Sequence, residues 1–165
     1  MAKATTAILL AAGEGKRMVS KKQKVMHNLC GRPMLGWVMR SVQQHITERP
    51  IVVLGFDGES VKDYFGKDCT YAYQQNVPGN RVDALRAGMS AVNADTGYVL
   101  VMAGNMPLIT DRTVAALVEA IAARWPECLL AVFADLSKKF EWLLRGAPDA
   151  VLARLRANPN VEKGE

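Results

Sequence analysis

The chain has 165 residues, half of them apolar and 22% charged, which suits one soluble globular domain with a substantial core and excludes disordered, fibrous and collagen-like classes. The formal net charge of +5 invites an anionic partner. It is concentrated between residues 14 and 32, where Lys16, Arg17, Lys21, Lys22, Lys24 and Arg32 face Glu14 alone and the remainder of the chain is balanced.

The predicted elements begin with Thr5 to Ala11, a continuous apolar run of the kind found in a strand covered on both faces. Residues 12 to 32 read as a long polar loop. Pro33 suits the first turn of a helix, whose Leu35, Val38, Met39, Val42 and Ile46 form one apolar stripe. Pro50 to Leu54 is a second strand, Gly55 to Gly58 a turn, Glu59 to Phe65 a short helix and Thr70 to Gln74 a third strand. A Pro78-Gly79-Asn80 turn leads to a helix from about Val82 to Val92, and Tyr98 to Met102 repeats the buried-strand pattern. Thr110 can cap a helix with Val114, Leu117, Val118, Ile121 and Trp125 on one face. Cys128 to Phe133 is the last clear strand, followed by helical stretches at Lys138 to Leu144 and Asp149 to Ala157.

This alternation predicts an α/β fold, a Rossmann-like doubly wound, mainly parallel sheet in a single domain. Residues 1–134 would form the α/β body and residues 135–165 a helical C-terminal tail of the same domain. Cys30, Cys69 and Cys128 are an odd number without a CxxC pair, which fits a reducing compartment. No apolar run approaches the roughly 20 residues of a membrane span, so the expectation is a cytoplasmic protein with no membrane partner. Nucleic acid is not an expected partner either, because the basic loop lacks interleaved aromatics and no helix carries a basic stripe. The oligomeric state is left open.

The strongest motif is the first strand-to-loop junction, Leu10-Ala11-Ala12-Gly13-Glu14-Gly15-Lys16-Arg17-Met18. Glycines after a buried strand let backbone N–H groups approach phosphate oxygens, and Arg17 and Lys24 add charge. It lacks the Gly-Lys-Ser/Thr end of a P-loop and the third glycine of a dinucleotide fingerprint. The competing reading is a tight turn followed by a solvated basic loop.

Together with Lys24-Val25-Met26-His27 and Gly31-Arg32-Pro33-Met34-Leu35, this junction resembles the nucleotidyltransferases that activate sugar 1-phosphates. It is most similar to the N-acetylglucosamine-1-phosphate uridylyltransferase domain. Gly104-Asn105-Met106-Pro107-Leu108 is similar to that family's Gly-Asp-x-Pro-Leu segment. The resemblance implies transfer of a uridylyl group from UTP to a sugar 1-phosphate, with pyrophosphate released and Mg²⁺ on the phosphates, as in peptidoglycan-precursor synthesis. By match, Arg17 and Lys24 would be catalytic residues on the triphosphate. Leu10, Ala11, Ala12, Gly13, Gly15, Gln74, Gly79, Asn80, Ala103 and Gly104 would bind the nucleotide, and Asn105 would stand at the metal position.

The chain departs from the family pattern at several of these points. Asn105 replaces the metal-binding Asp, Lys16 a Thr, and Gln23 the Pro before the phosphate Lys. Val77, Asn80, Arg81 and Asp83 replace the second Gln, the Thr, the second Gly and the Ala of the base-reading segment. A neutral amide offers a hard cation less than a carboxylate does. Two further expectations therefore stand beside the first: a nucleotide-binding relative without turnover, and a cytidylyl- or guanylyltransferase acting on a cofactor precursor.

Overall fold

The computed structural model describes residues 4–76, 79–124, 128–133 and 143–145. Strand β1 (Thr5–Leu10) is followed by two short 3-10 turns, Lys16–Met18 and Lys24–Met26, and a small ladder of β2 (Asn28–Leu29) with β3 (Arg32–Pro33). Then come α1 (Met34–Gln43), β4 (Ile51–Leu54), α2 (Gly58–Phe65), β5 (Thr70–Tyr73), α3 (Arg81–Ser90), β6 (Tyr98–Ala103), α4 (Asp111–Arg124), β7 (Cys128–Phe133) and β8 (Leu143–Arg145).

The main sheet runs in the order β5-β4-β1-β6-β7-β8. All its pairings are parallel except β7 with the edge strand β8. Its alternating side chains explain the unbroken apolar runs. From β1, β4 and β6, Ala7, Leu9, Val52, Leu54, Leu100 and Met102 face one core, shared with Leu35, Val38 and Val42 of α1, Val61 of α2 and Val114 of α4. Ile8, Ile51, Val53, Val99 and Val101 face the other, covered by Ala84 and Met89 of α3. A strand buried on both faces is filled mainly by apolar side chains; in β1 the exceptions are Thr5 and Thr6 at its start, and the Thr6 hydroxyl donates to the Arg49 carbonyl at 2.9 Å. Small residues let α3 approach closely: a Cβ on Gly88 would lie 2.5 Å from Ile8 Cγ2.

Each predicted strand from Thr5 to Phe133 and each predicted helix up to Arg124 is present, with ends shifted by up to three residues. Thr110 caps α4 by accepting from the Thr113 amide at 3.2 Å. Two expectations need correction. The stretch 12–32 is not wholly a solvated polar loop, because Gln23, Val25 and Met26 are buried and anchor it to the core. The helix expected over Lys138 to Leu144 fails at its end, where Leu143–Arg145 pair antiparallel with β7; an apolar run of this length fits a strand as well as a helix. Lys138 to Trp142, Trp125 and the stretch 149–157 lie outside the described residues.

Candidate functional site

The chain leaves β1 toward β4 on one side, and β6 lies on the other. The sheet therefore reverses its winding between β1 and β6, and in open α/β sheets a crevice forms outside the strand ends at such a point. Leu10 and Ala103 are register partners, so the two exits are level, and the Gly104 amide donates to the Leu10 carbonyl at 2.9 Å. A cavity of about 360 Å³ opens here.

Its first lip comes from β1. Leu10, Ala12 and Gly13 line it. A Cβ on Gly13 would meet nothing within 4 Å, so the protein's own packing does not require glycine there. Gly15 is different: its φ is +66°, and a Cβ would fall 2.8 Å from Lys24 Cβ. It lies against the stem of Lys24, whose side chain lines the cavity. Arg17 stands on the exposed 3-10 turn outside the cavity wall.

Ala11 is buried and its amide donates to the Val53 carbonyl at 3.0 Å. Its own carbonyl accepts from Nε2 of Gln23, whose Oε1 accepts from the Val25 amide at 2.6 Å. Gln23 is 0% exposed. The sequence showed it only as a departure from a pattern, because its partner at Ala11 is a tertiary contact with no local signal.

The second lip comes from β6, where Ala103, Asn105 and Met106 line the cavity. Gly104 lies beneath the lining. A Cβ there would come 3.0 Å from the Leu10 carbonyl oxygen and from Leu35 Cδ1, so this glycine serves packing between the strand exits.

The third wall follows β5. Gln74 is buried, its amide donates to the Leu54 carbonyl at 2.9 Å, and its Nε2 donates to the Asn80 carbonyl at 3.4 Å. Gly79 packs directly on the Gln74 carboxamide, leaving no room for a Cβ. Asn80 lines the cavity but also caps α3, its Oδ1 accepting from the amides of Val82 and Asp83 at 2.9 Å each. Arg81, the first residue of α3, adds a second cation to the lining beside Lys24.

Thus Leu10, Ala12, Gly13, Lys24, Gln74, Gly79, Asn80, Ala103 and Asn105 meet around one cavity, while Ala11, Gly15 and Gly104 support it from behind and Arg17 stands apart. Ala84 of α3 and Met106 line it without having been named as site residues, and so does Arg81, which the sequence marked only as a departure within the base-reading segment.

The donor set does not fit the Mg²⁺ that the resemblance implies. Mg²⁺ is held by one or two carboxylates with phosphates completing its shell. Among the described residues no carboxylate lines the cavity, and no group of three or more His, Cys, Asp or Glu is placed to hold a metal ion. The lining offers the amide of Asn105 and the charges of Lys24 and Arg81, which attract anions and repel a cation. Nor, among the described residues, is any helix long and apolar enough to cross a membrane.

Residues 7–164 match the family model of the MobA-like NTP transferase domain. Over 109 residues the chain is 41% identical to the bifunctional protein GlmU of Acetivibrio thermocellus. That alignment takes in 66% of this chain and 23% of the relative, so the chain spans about a quarter of the relative's length. Among solved structures, a nucleotidyl transferase from Methanothermobacter thermautotroptrophicus has a TM-score of 0.63 at 23% identity, covering 72% of this chain and 58% of that one. The Mycobacterium tuberculosis protein Rv0371C, solved in complex with manganese, has a TM-score of 0.61 at 19% identity, covering 74% of this chain and 62% of its own. The two structural likenesses share the α/β fold of this chain.

Proposed function

The chain belongs to the MobA-like NTP transferase domain family, and from that premise we propose that its cavity binds UTP and directs the α-phosphate toward a sugar 1-phosphate, N-acetylglucosamine 1-phosphate. In that reaction an oxygen of the sugar phosphate attacks the α-phosphorus of UTP. The bond to the bridging oxygen breaks, pyrophosphate leaves, and the nucleotide sugar remains. The observation that carries the reading is the convergence of the Gly13 backbone, Lys24 and Gln74 on one cavity at the β1/β6 strand ends. The 41% identity to a GlmU protein supports the choice of uridine and sugar.

This chemistry is mostly positioning and charge stabilisation. Lys24 would hold the triphosphate and counter the charge that develops on the leaving pyrophosphate. The open space over Gly13 would admit phosphate oxygens to the backbone, Gln74 would present its carboxamide to the base, and Arg17 would act from the exposed turn as part of the field around the cavity. The reaction is proposed to be cytoplasmic.

A second reading, nucleotide binding without turnover, is favoured by one observation. The position at the end of β6 carries the Asn105 amide, and no carboxylate stands elsewhere in the described lining. Incubation with UTP, N-acetylglucosamine 1-phosphate and Mg²⁺, following pyrophosphate release, separates the two. The expected result is UTP binding with wild-type turnover absent or far below that of Asn105→Asp. Failure to bind UTP would refute both readings, and robust wild-type turnover without gain in the variant would refute the weakness assigned to Asn105.

A further inference from the structure

Gln23 is the one fully buried polar side chain in the segment that delivers Lys24 to the cavity. Its amide is used at both ends in complementary fashion. Nε2 donates to the carbonyl of Ala11, the residue after β1, and Oε1 accepts from the amide of Val25, at 2.6 Å. The pairing fixes the orientation of the carboxamide, since a flipped amide would set donor against donor and acceptor against acceptor. The bridge therefore spans Lys24 on the chain: one end is bonded to the sheet, the other to the backbone immediately beyond the lysine. On its other flank the Lys24 stem runs against Gly15, which a Cβ would crowd.

From this geometry we propose that Gln23 is a positioning residue for phosphate binding, which holds Lys24 at the mouth of β1 by tying the strand-end carbonyl to the turn that carries the lysine. It touches no ligand itself. The proposal rests on the nucleotide reading of the cavity given above. Few other side chains can replace it. Met or Leu fills the volume but leaves a buried carbonyl and a buried amide without partners. Glu can accept from Val25 but in its ionised form sets a carboxylate against the Ala11 carbonyl. Once protonated, Glu regains a donor and becomes a near-isostere of Gln. Burial favours that neutral form, so the carboxyl of a Glu at position 23 titrates above the ordinary carboxylate range. The missing function then returns as pH falls through that raised value.

The test compares wild type, Gln23→Glu and Gln23→Met in UTP binding by calorimetry at pH 8.0 and pH 5.5, each variant read as a ratio to wild type at the same pH. Hydrogen exchange of the Val25 amide is followed in parallel under the same conditions. For Gln23→Glu the expected result is a dissociation constant about tenfold or more above wild type at pH 8.0 and within about threefold at pH 5.5, a tenfold change corresponding to about 1.4 kcal/mol. Val25 should lose protection relative to wild type at pH 8.0 and regain it at pH 5.5. Gln23→Met should be impaired at both pH values, with Val25 exposed throughout.

Wild-type affinity and protection in Gln23→Glu at pH 8.0 would overturn the proposal, as would a defect that does not recover at pH 5.5. If Gln23→Glu fails to fold, wild-type affinity and Val25 protection in Gln23→Met would overturn it equally. Absence of UTP binding by the wild type would instead defeat the nucleotide reading, and Val25 exchange would still decide whether Gln23 organises the turn.

Discussion

The two lips of the cavity differ in what they supply. The lip at the end of β1 carries a glycine facing open space and a lysine whose turn is tied back to the strand through buried Gln23. The lip at the end of β6 is level with it in register and equally well packed, Gly104 being wedged against the Leu10 carbonyl and Leu35. Yet its exposed chemistry is a neutral amide, Asn105, beside Met106. Holding a polyphosphate needs cations and backbone N–H groups, whereas assembling a metal-assisted transfer needs a carboxylate. The first lip offers the groups that phosphate binding calls for and the second offers no carboxylate for a metal, so on the proposed reading binding and turnover would be separable in this chain.

The largest expected effect that would sharpen this contrast is on the first lip. Lys24→Ala removes a charge-assisted contact worth about 1.5–3 kcal/mol, and UTP titration should show an affinity loss of about 10- to 150-fold. Unchanged affinity would make the basic loop mere surface. On the second lip, Asn105→Asp should raise pyrophosphate release in Mg²⁺ by about tenfold or more by supplying the missing carboxylate. The same variant should weaken UTP binding measured in EDTA, because it sets a negative charge beside the phosphates.

The two glycines of the first lip offer a smaller and cleaner comparison. Gly15→Ala should lower stability by about 1–2 kcal/mol, since an L residue is strained at positive φ, and thermal unfolding reads that out. Gly13→Ala should leave the melting temperature unchanged, because nothing in the protein occupies the space a Cβ would take, and should weaken UTP binding several-fold. If both glycines altered stability alone, the open space over Gly13 would have no ligand role. The smallest effect is expected on the third wall. Asn80→Ala should cost about 1 kcal/mol through loss of the α3 cap, and UTP affinity should fall only as far as the helix start is displaced.

How much of this was legible in the sequence follows from the range of the interactions. β1, β4 and β6 were readable because burial on both faces writes an unbroken apolar run into consecutive residues. α1 and α4 were readable from one-sided stripes. The motif 10–18 located the cavity because glycines and charges there follow a strand directly. Gln23 was not readable as a support, since its meaning depends on the Ala11 carbonyl across a turn of the chain. Arg81 was noticed as an intruder in a pattern, but only the packing of α3 beside the strand ends brings it to the cavity lining. Asn80 was expected among the nucleotide-binding residues; it lines the cavity, while its side chain is already engaged as a helix cap. At the far end, the two leucines Leu143 and Leu144 could not distinguish a helix end from the strand Leu143–Arg145.

The central claim is that the β1 lip binds a triphosphate by its own groups, without a metal bridge. Its most direct test is calorimetric titration of wild type and Lys24→Ala with UTP, in excess EDTA and again in Mg²⁺. The account predicts wild-type affinity in EDTA equal to or better than that in Mg²⁺, and loss of binding in Lys24→Ala under both conditions. Wild-type binding that vanishes in EDTA, or that survives intact in Lys24→Ala, would contradict it.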